Sequence, residues 1–237
     1  FSLDVVKILH KYDLGMQQMD CPETLYLGIQ RWQHTKNLYD NVGFRRFCRQ
    51  FFAEGSIDAA EFDLRLSSLL TRYPRQMLSA QLNLLDSHDV SRFLTLCGGD
   101  RARMEQAVLF QMAFPGMPCV FYGDEKGLEG ASENEYRRPM DFGRPNGLEE
   151  AYLRMIALRK EHPALRHGDF QTVLAQGALF LCRRIAAEES LLLCWNAGGE
   201  ALPVPGLPKD ALPLLQKGWK GGLLEGRGYV VFQTAKP

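Results

Sequence analysis

Two acidic clusters in this chain each follow directly on a short apolar run, and their residue types are those that act on substrates. The first is Asp86-Ser87-His88-Asp89, which ends the run Gln81-Leu82-Asn83-Leu84-Leu85. The second is Gly123-Asp124-Glu125, which ends the run Pro118-Cys119-Val120-Phe121-Tyr122, with Asp124 35 residues beyond Asp89. A carboxylate beside an imidazole can stabilise developing positive charge and donate a hydrogen bond from one loop. Ser87, His88 and Asp89 do not read as a serine triad, because triad members converge from separate elements. Plainer roles compete with the chemical ones. Asp89 is also placed to cap a nearby helix, and His88 to be a satisfied loop histidine. Arg137 and Arg138 offer a bidentate clamp for Asp124 and Glu125, or two solvated charges.

The elements that must carry these clusters follow from periodicity. Phe44, Phe47, Phe51 and Phe52 lie on one face at helical spacing. Ser56 or Asp58 is a candidate cap for a second helix with core positions Phe62, Leu66, Leu69 and Leu70, ending before Pro74. Residues 81–85 read as a strand, 101–113 as an amphipathic helix, 118–122 as a second strand, and 148–162 as a further helix. Alternating helices and nearly continuous apolar strands indicate a parallel sheet covered by helices. Acids at the C-terminal ends of such strands read as chemistry, because that face carries the active site of a (β/α)8 barrel. After Gly168 the pattern changes to short β-forming runs, 170–174, 178–185, 190–196 and 229–234, divided by Gly- and Pro-rich breaks. These predict a small antiparallel β domain, with residues 1–165 before it and 166–237 within it.

Composition narrows the partners. Lys+Arg and Asp+Glu number 28 each, so the formal net charge is zero, which leaves no electrostatic footprint for nucleic acid or anionic lipid. A neutral substrate fits this balance. Six scattered cysteines (Cys21, Cys48, Cys97, Cys119, Cys182, Cys194) contain no C-x-x-C pair; they read as buried thiols in a reducing compartment, hence a cytoplasmic location. No run approaches the ~20 apolar residues of a membrane span, and the N-terminus has no basic-then-apolar leader. The first residue is Phe1 rather than Met, so the chain reads as an excised piece of something longer.

Asn83-Leu84-Leu85-Asp86-Ser87-His88-Asp89 resembles the strand-seven motif of glycoside hydrolase family 13, the α-amylase family, in its neopullulanase, cyclomaltodextrinase and maltogenic amylase branch. Gly116-Met117-Pro118-Cys119-Val120-Phe121-Tyr122-Gly123-Asp124-Glu125, continuing to Gly130, is similar to the strand-eight motif. Arg137-Arg138-Pro139-Met140 resembles the arginine motif that follows it, and Tyr39-Asp40-Asn41-Val42-Gly43-Phe44-Arg45 resembles a segment between strands five and seven. Order and spacing agree for the first three, and the last is a worn version of its counterpart. The resemblance implies the C-terminal part of a (β/α)8 barrel followed by a small antiparallel β-sandwich. It implies that Asp89 is the carboxylate that stabilises the transition state, and that His88 hydrogen-bonds the sugar. Asp124, Glu125 and Arg138 are expected at the substrate-side mouth, with loop organisation the stronger reading for the two acids. Phe142 stands where many relatives carry Trp.

A retaining glycosidase needs a nucleophilic carboxylate and an acid/base roughly 5–5.5 Å away. Phe1-Ser2-Leu3-Asp4 faintly resembles the family's nucleophile strand, with Ser2 where an arginine belongs, and Glu23 follows Asp4 by 19 residues. Asp4 and Glu23 are therefore weak candidates for the two roles. A full barrel takes about 250 residues, more than the 165 expected here. The expectation is an α-glucan hydrolase or transglycosylase whose nucleophile and acid/base strands lie elsewhere. The alternative is a non-catalytic glucan-binding or interaction module of the same fold. Unpaired sheet edges favour a homodimer or pairing with the missing barrel half. No cofactor is expected: relatives hold calcium, but these carboxylates form no ligand loop.

Overall fold

The computed structural model describes residues 42–143, 148–206 and 212–234. Helix α1 (Val42–Cys48) runs directly into a π-helical turn, Arg49–Glu54, which Gly55 ends at φ 64°. Helix α2 (Ala59–Arg72) is capped by Asp58, whose Oδ1 accepts from the Glu61 N–H at 2.9 Å. Of the two expected caps Asp58 takes the position, and α2 stops before Pro74 as the pattern predicts. Helix α3 (Arg75–Ala80) leads into strand β1 (Leu82–Leu84). After the Asp86–Asp89 loop come the short α4 (Phe93–Leu96) and then α5 (Arg101–Ala113). Asp100 caps α5 by accepting from Ala102 N–H at 2.9 Å, satisfying a donor that the helix leaves unpaired.

Strand β2 (Met117–Cys119) lies parallel to β1, pairing Leu82 with Met117, Asn83 with Pro118 and Leu84 with Cys119. Both strands are shorter than the apolar runs that predicted them. The second stops at Cys119 because the chain coils through the turns that carry Gly123 and Gly127. Gln111 of α5 fastens the pair from below: its Nε2 donates to Asn83 O at 2.8 Å and to Cys119 O at 3.0 Å. Then follow α6 (Glu133–Tyr136), α7 (Leu148–Glu161) and α8 (Pro163–His167).

The rest forms an antiparallel sheet of six strands: β3 (Asp169–Gln176), β4 (Leu179–Ile185), β5 (Ser190–Asn196), β6 (Leu202–Pro203), β7 (Leu215–Lys220) and β8 (Leu223–Thr234). The order is β3-β4-β5-β8-β6, with β7 also paired to β8. Four of these strands match the β-forming runs. β6, β7 and the first half of β8 do not, because Pro, Lys and Gly interrupt them and their pairing partner rather than their composition makes them strands.

The period of two assigns the two faces. Phe180, Cys182, Leu191, Leu193, Trp195, Tyr229 and Val231 pack on the helices, whereas Leu179, Leu181, Cys194, Val230 and Phe232 build a second core with Val204 and Leu224. β5 is buried along its whole length. The helices and the inner face share one core centred on Phe110, whose ring meets Phe44, Phe52, Phe62, Phe114, Phe180 and Trp195 at centroid distances between 5.2 and 6.1 Å. Polar contacts reinforce the joint. Gln106 of α5 donates to Asn196 O and Gly228 O, and Trp195 Nε1 donates back to Gln106 O at 3.2 Å.

Arg184 is fully buried from β4, yet its guanidinium meets four carbonyls: Ala113 at 2.7 Å, Gly168 at 2.9 Å, Ala164 at 3.2 Å and Leu165 at 3.3 Å. Ala113 O and Leu165 O belong to the last turns of α5 and α8, where carbonyls lack intrahelical partners and a cation is favoured. Burial lowers the pKa of Arg184 to about 10.

Candidate active site

The parallel pair delivers two loops to one end of the strands. Asp86–Ser91 leaves β1, and residues 120–130 leave β2. Arg45 of α1 holds the first loop at both ends, with Nε donating to Leu85 O at 2.7 Å and Nη2 to Ser91 O at 3.0 Å. Within that frame His88 and Asp89 turn outward, their side chains 66% and 57% exposed. His88 Nε2 lies 3.2 Å from Asp89 Oδ2. Arg137 Nη2 meets Asp89 Oδ1 at 3.0 Å, while its Nε donates to His88 O at 2.8 Å. The two carboxylate oxygens thus have separate partners, Oδ1 the Arg137 guanidinium and Oδ2 the His88 ring. Ion pairs this exposed contribute about 0–1 kcal/mol to stability, so the grip orients the carboxylate more than it stabilises the fold.

Arg137 is itself placed by a capping box. Glu135 accepts from the Ser132 N–H at 3.0 Å and from the Ala131 N–H at 2.7 Å, starting α6 immediately before Arg137. These bonds hold the Glu135 carboxyl below its ordinary range. Gly130 precedes the box; a Cβ there would lie 2.7 Å from Tyr136 N, so only glycine admits the close approach.

Beneath the exposed pair lies a buried polar layer, of which the sequence assigned only Asp124. Asp86 Oδ2 accepts from the Phe93 N–H at 2.8 Å and so caps α4. That overturns the reading of Asp89 as the helix cap. Arg92 is completely buried; its Nη1 meets Asp124 Oδ1 at 3.0 Å and donates to Tyr122 O at 2.6 Å. The guanidinium also lies over the Phe121 and Tyr122 rings, 4.3 and 4.8 Å from their centroids. Burial raises the Asp86 carboxyl, and burial with the neighbouring Asp86 raises that of Asp124 well above the usual range.

The arginine on Asp124 is therefore Arg92 and not Arg137 or Arg138. Arg138 is braced on backbone instead, donating to Glu135 O at 3.0 Å and to Glu129 O, while its own carbonyl accepts from Tyr122 Oη at 2.8 Å. Glu125 is half-buried and accepts from the Gly123 N–H at 3.0 Å. Asp124 is 4% exposed, which supports loop organisation over contact with a substrate. Gly123 adopts φ 86°, and a Cβ there would collide with the Leu128 side chain. Asp4 and Glu23 lie outside the described residues. The signal for Arg92 was a charged residue opening an apolar helix, Arg92-Phe93-Leu94. The signal for Arg137's placement was the S-x-x-E box, Ser132 to Glu135. Among the described residues, no three His, Cys, Asp or Glu side chains gather as a metal site, and no helix is long and apolar enough to cross a membrane.

Residues 28–144 match the family described as alpha amylase, catalytic domain. A cyclomaltodextrinase of Geobacillus thermopakistaniensis (strain MAS1) is 36% identical over 185 residues, covering 76% of this chain and 31% of that protein. Neopullulanase 2 of Thermoactinomyces vulgaris is 39% identical over 165 residues, covering 68% and 28%. A debranching enzyme from Nostoc punctiforme, solved after an acarbose soak, superposes with a TM-score of 0.72 at 30% identity, covering 81% of this chain and 45% of that one. The chain thus spans less than a third of the length of these two curated relatives. Motif order, the parallel strand pair, the exposed His88–Asp89 loop and these likenesses agree, and the chain belongs to the α-amylase family of glycoside hydrolases.

Proposed function

We propose that this chain is the C-terminal part of a retaining α-glucan hydrolase or transglycosylase acting on maltodextrins, cyclodextrins or pullulan. In this reading residues 1–165 contribute the last strands of a (β/α)8 barrel and residues 166–237 a C-terminal β-sandwich domain. The names of the similar proteins, cyclomaltodextrinase and neopullulanase, support the substrate class. One observation carries the reading: Asp89 and His88 stand exposed and side by side beyond the end of β1, with Arg137 holding the Asp89 carboxylate.

Glycosidic cleavage passes through an oxocarbenium-like state. The Asp89 carboxylate, already oriented by Arg137 and His88, would stabilise that positive charge without reorganising. His88 would hydrogen-bond a hydroxyl of the same sugar. The nucleophile and acid/base come from earlier strands, for which Asp4 and Glu23 are this chain's own weak candidates. Pairing with the missing barrel strands, or with a second copy, would complete the sheet. Free thiols at Cys48, Cys97, Cys182 and Cys194, all buried, support a cytoplasmic location.

The test is hydrolysis of maltoheptaose and β-cyclodextrin by the chain, with Asp89→Asn beside it. Removing one charge-stabilising group of this kind costs about 10²–10³ in turnover. Equal turnover by the variant would refute the role of Asp89. Binding without turnover by a folded chain would favour the reading as a glucan-binding module.

A further inference from the structure

The loop that presents His88 and Asp89 is held by segments remote from it in sequence. Arg45 lies 40 residues before Leu85 and 46 before Ser91. One guanidinium nevertheless donates to both carbonyls, from Nε at 2.7 Å and from Nη2 at 3.0 Å. Those carbonyls stand at the two ends of the loop, so a single planar fork spans it. Bonds from a charged donor are also stronger than neutral ones. The helix that carries the fork is fixed to the core. Its Phe44 is fully buried, stacked on Phe110 at 5.7 Å with an interplanar angle of 8°, and meets Phe114 at 5.4 Å.

From Ser91 the connection continues into the second loop. The Ser91 hydroxyl donates to Ala131 O at 3.2 Å, the Arg92 N–H to Gly130 O at 2.9 Å, and the Gly130 N–H to Thr95 Oγ1 at 2.8 Å. The Ala131 N–H in turn donates to Glu135, whose capping box begins α6 and places Arg137. Arg137 returns to the first loop through His88 O and the Asp89 carboxylate. The bonds therefore run in a circuit through Ser91, Ala131, Glu135, Arg137 and His88, and Arg45 is the member that joins the two ends of the loop.

We propose that Arg45 is a positioning residue: by bridging Leu85 O and Ser91 O it closes a ring of hydrogen bonds that fixes where His88 and Asp89 stand. A loop has neither a helix nor a ladder to occupy its carbonyls, and here a side chain from α1 takes that part. Arg45 sets the backbone of the loop and Arg137 the direction of the carboxylate, so the two arginines divide one task. A misplacement of about 1 Å at a reacting group can cost on the order of 10²-fold in rate. The consequence for glucan cleavage rests on the reading of Asp89 given above, whereas the ring does not.

The experiment is ¹⁵N relaxation of the intact chain, read as order parameters for the amides of residues 86–91 and for the Arg137 Nε–H. In the wild type both are expected near the rigid value of about 0.85. Arg45→Met keeps a long apolar stem and removes every donor. It should lower the loop amides to about 0.6 or less, with those of α5 unchanged. Arg137 Nε should fall with them, although the bonds that join it to Arg45 run through both loops. Arg45→Lys keeps the charge and lacks the fork, and should loosen the loop by a smaller amount; it decides the matter if α5 also loses order in the methionine variant. A loop that stays rigid in both variants overturns the positioning role, as does a wild-type loop that is already mobile. A rigid Arg137 Nε beside a loosened loop overturns the ring. Glucan enters none of these readouts, so a chain that fails to bind maltoheptaose counts against the reading of Asp89 and leaves the test of Arg45 intact.

Discussion

Replacing Phe110 with alanine is the sharpest probe of how the helices and the sheet are joined. The side chain is fully buried and its ring touches six aromatic partners, four from the helical part and its N-terminal turns and two, Phe180 and Trp195, from the sheet. Burying an aromatic ring removes roughly 150–250 Å² from water, worth about 4–6 kcal/mol at ~25 cal/mol per Å². Measured Phe→Ala costs run about 3–5 kcal/mol, larger where the cavity cannot collapse. Six rigid rings around one vacancy resist collapse, so about 4–5 kcal/mol is expected. With a urea slope of about 2 kcal/mol per M, the unfolding midpoint should fall by about 2 M. Unfolding followed by helix ellipticity and by the fluorescence of buried Trp195 should move together, because both report on one core. A loss under about 1.5 kcal/mol, or two probes that separate, would refute the claim that Phe110 welds the two parts.

Asp100→Ala removes the donor-satisfying cap of α5 and should cost about 1 kcal/mol in thermal or urea unfolding; no loss would mean that water replaces it fully. Arg137→Gln should leave stability within about 0.5 kcal/mol while weakening maltoheptaose binding measured by calorimetry, and unchanged binding would remove Arg137 from the site. The pH dependence has a definite sign. Asp86 and Asp124 are raised above the ordinary carboxylate value of 3.8 by burial, so the folded chain keeps a proton that the unfolded chain has lost. Their contribution is fully present below the unfolded value and is lost as pH rises through the folded one. Asp86→Asn should therefore gain on the wild type as urea midpoints are compared from about pH 4 to about pH 7, and parallel curves would contradict it.

The sequence by itself carried the family, the helical register and the inner-face strands, because these depend on local order. Leu82-Asn83-Leu84 and Pro118-Cys119 form strands inside the apolar runs that predicted them, although the second run leaves the sheet after Cys119. Asp58 caps α2 for reasons contained in four residues, and the motif order identified Asp89 and His88 as a pair. What the sequence could not decide is which charge meets which. Arg92, Arg137 and Arg138 are chemically alike and all lie within reach of Asp124 along the chain. Only the docking of the two loops puts Arg92 under the strands and Arg137 over Asp89. The same holds for the short β6 and for β7, whose Pro-, Lys- and Gly-bearing sequences become strands because β8 offers them an edge. Periodicity reports how much of a residue is covered. Which partner covers it, and so how far burial shifts a carboxyl, depends on contacts between segments far apart in sequence, and those exist only in the folded chain.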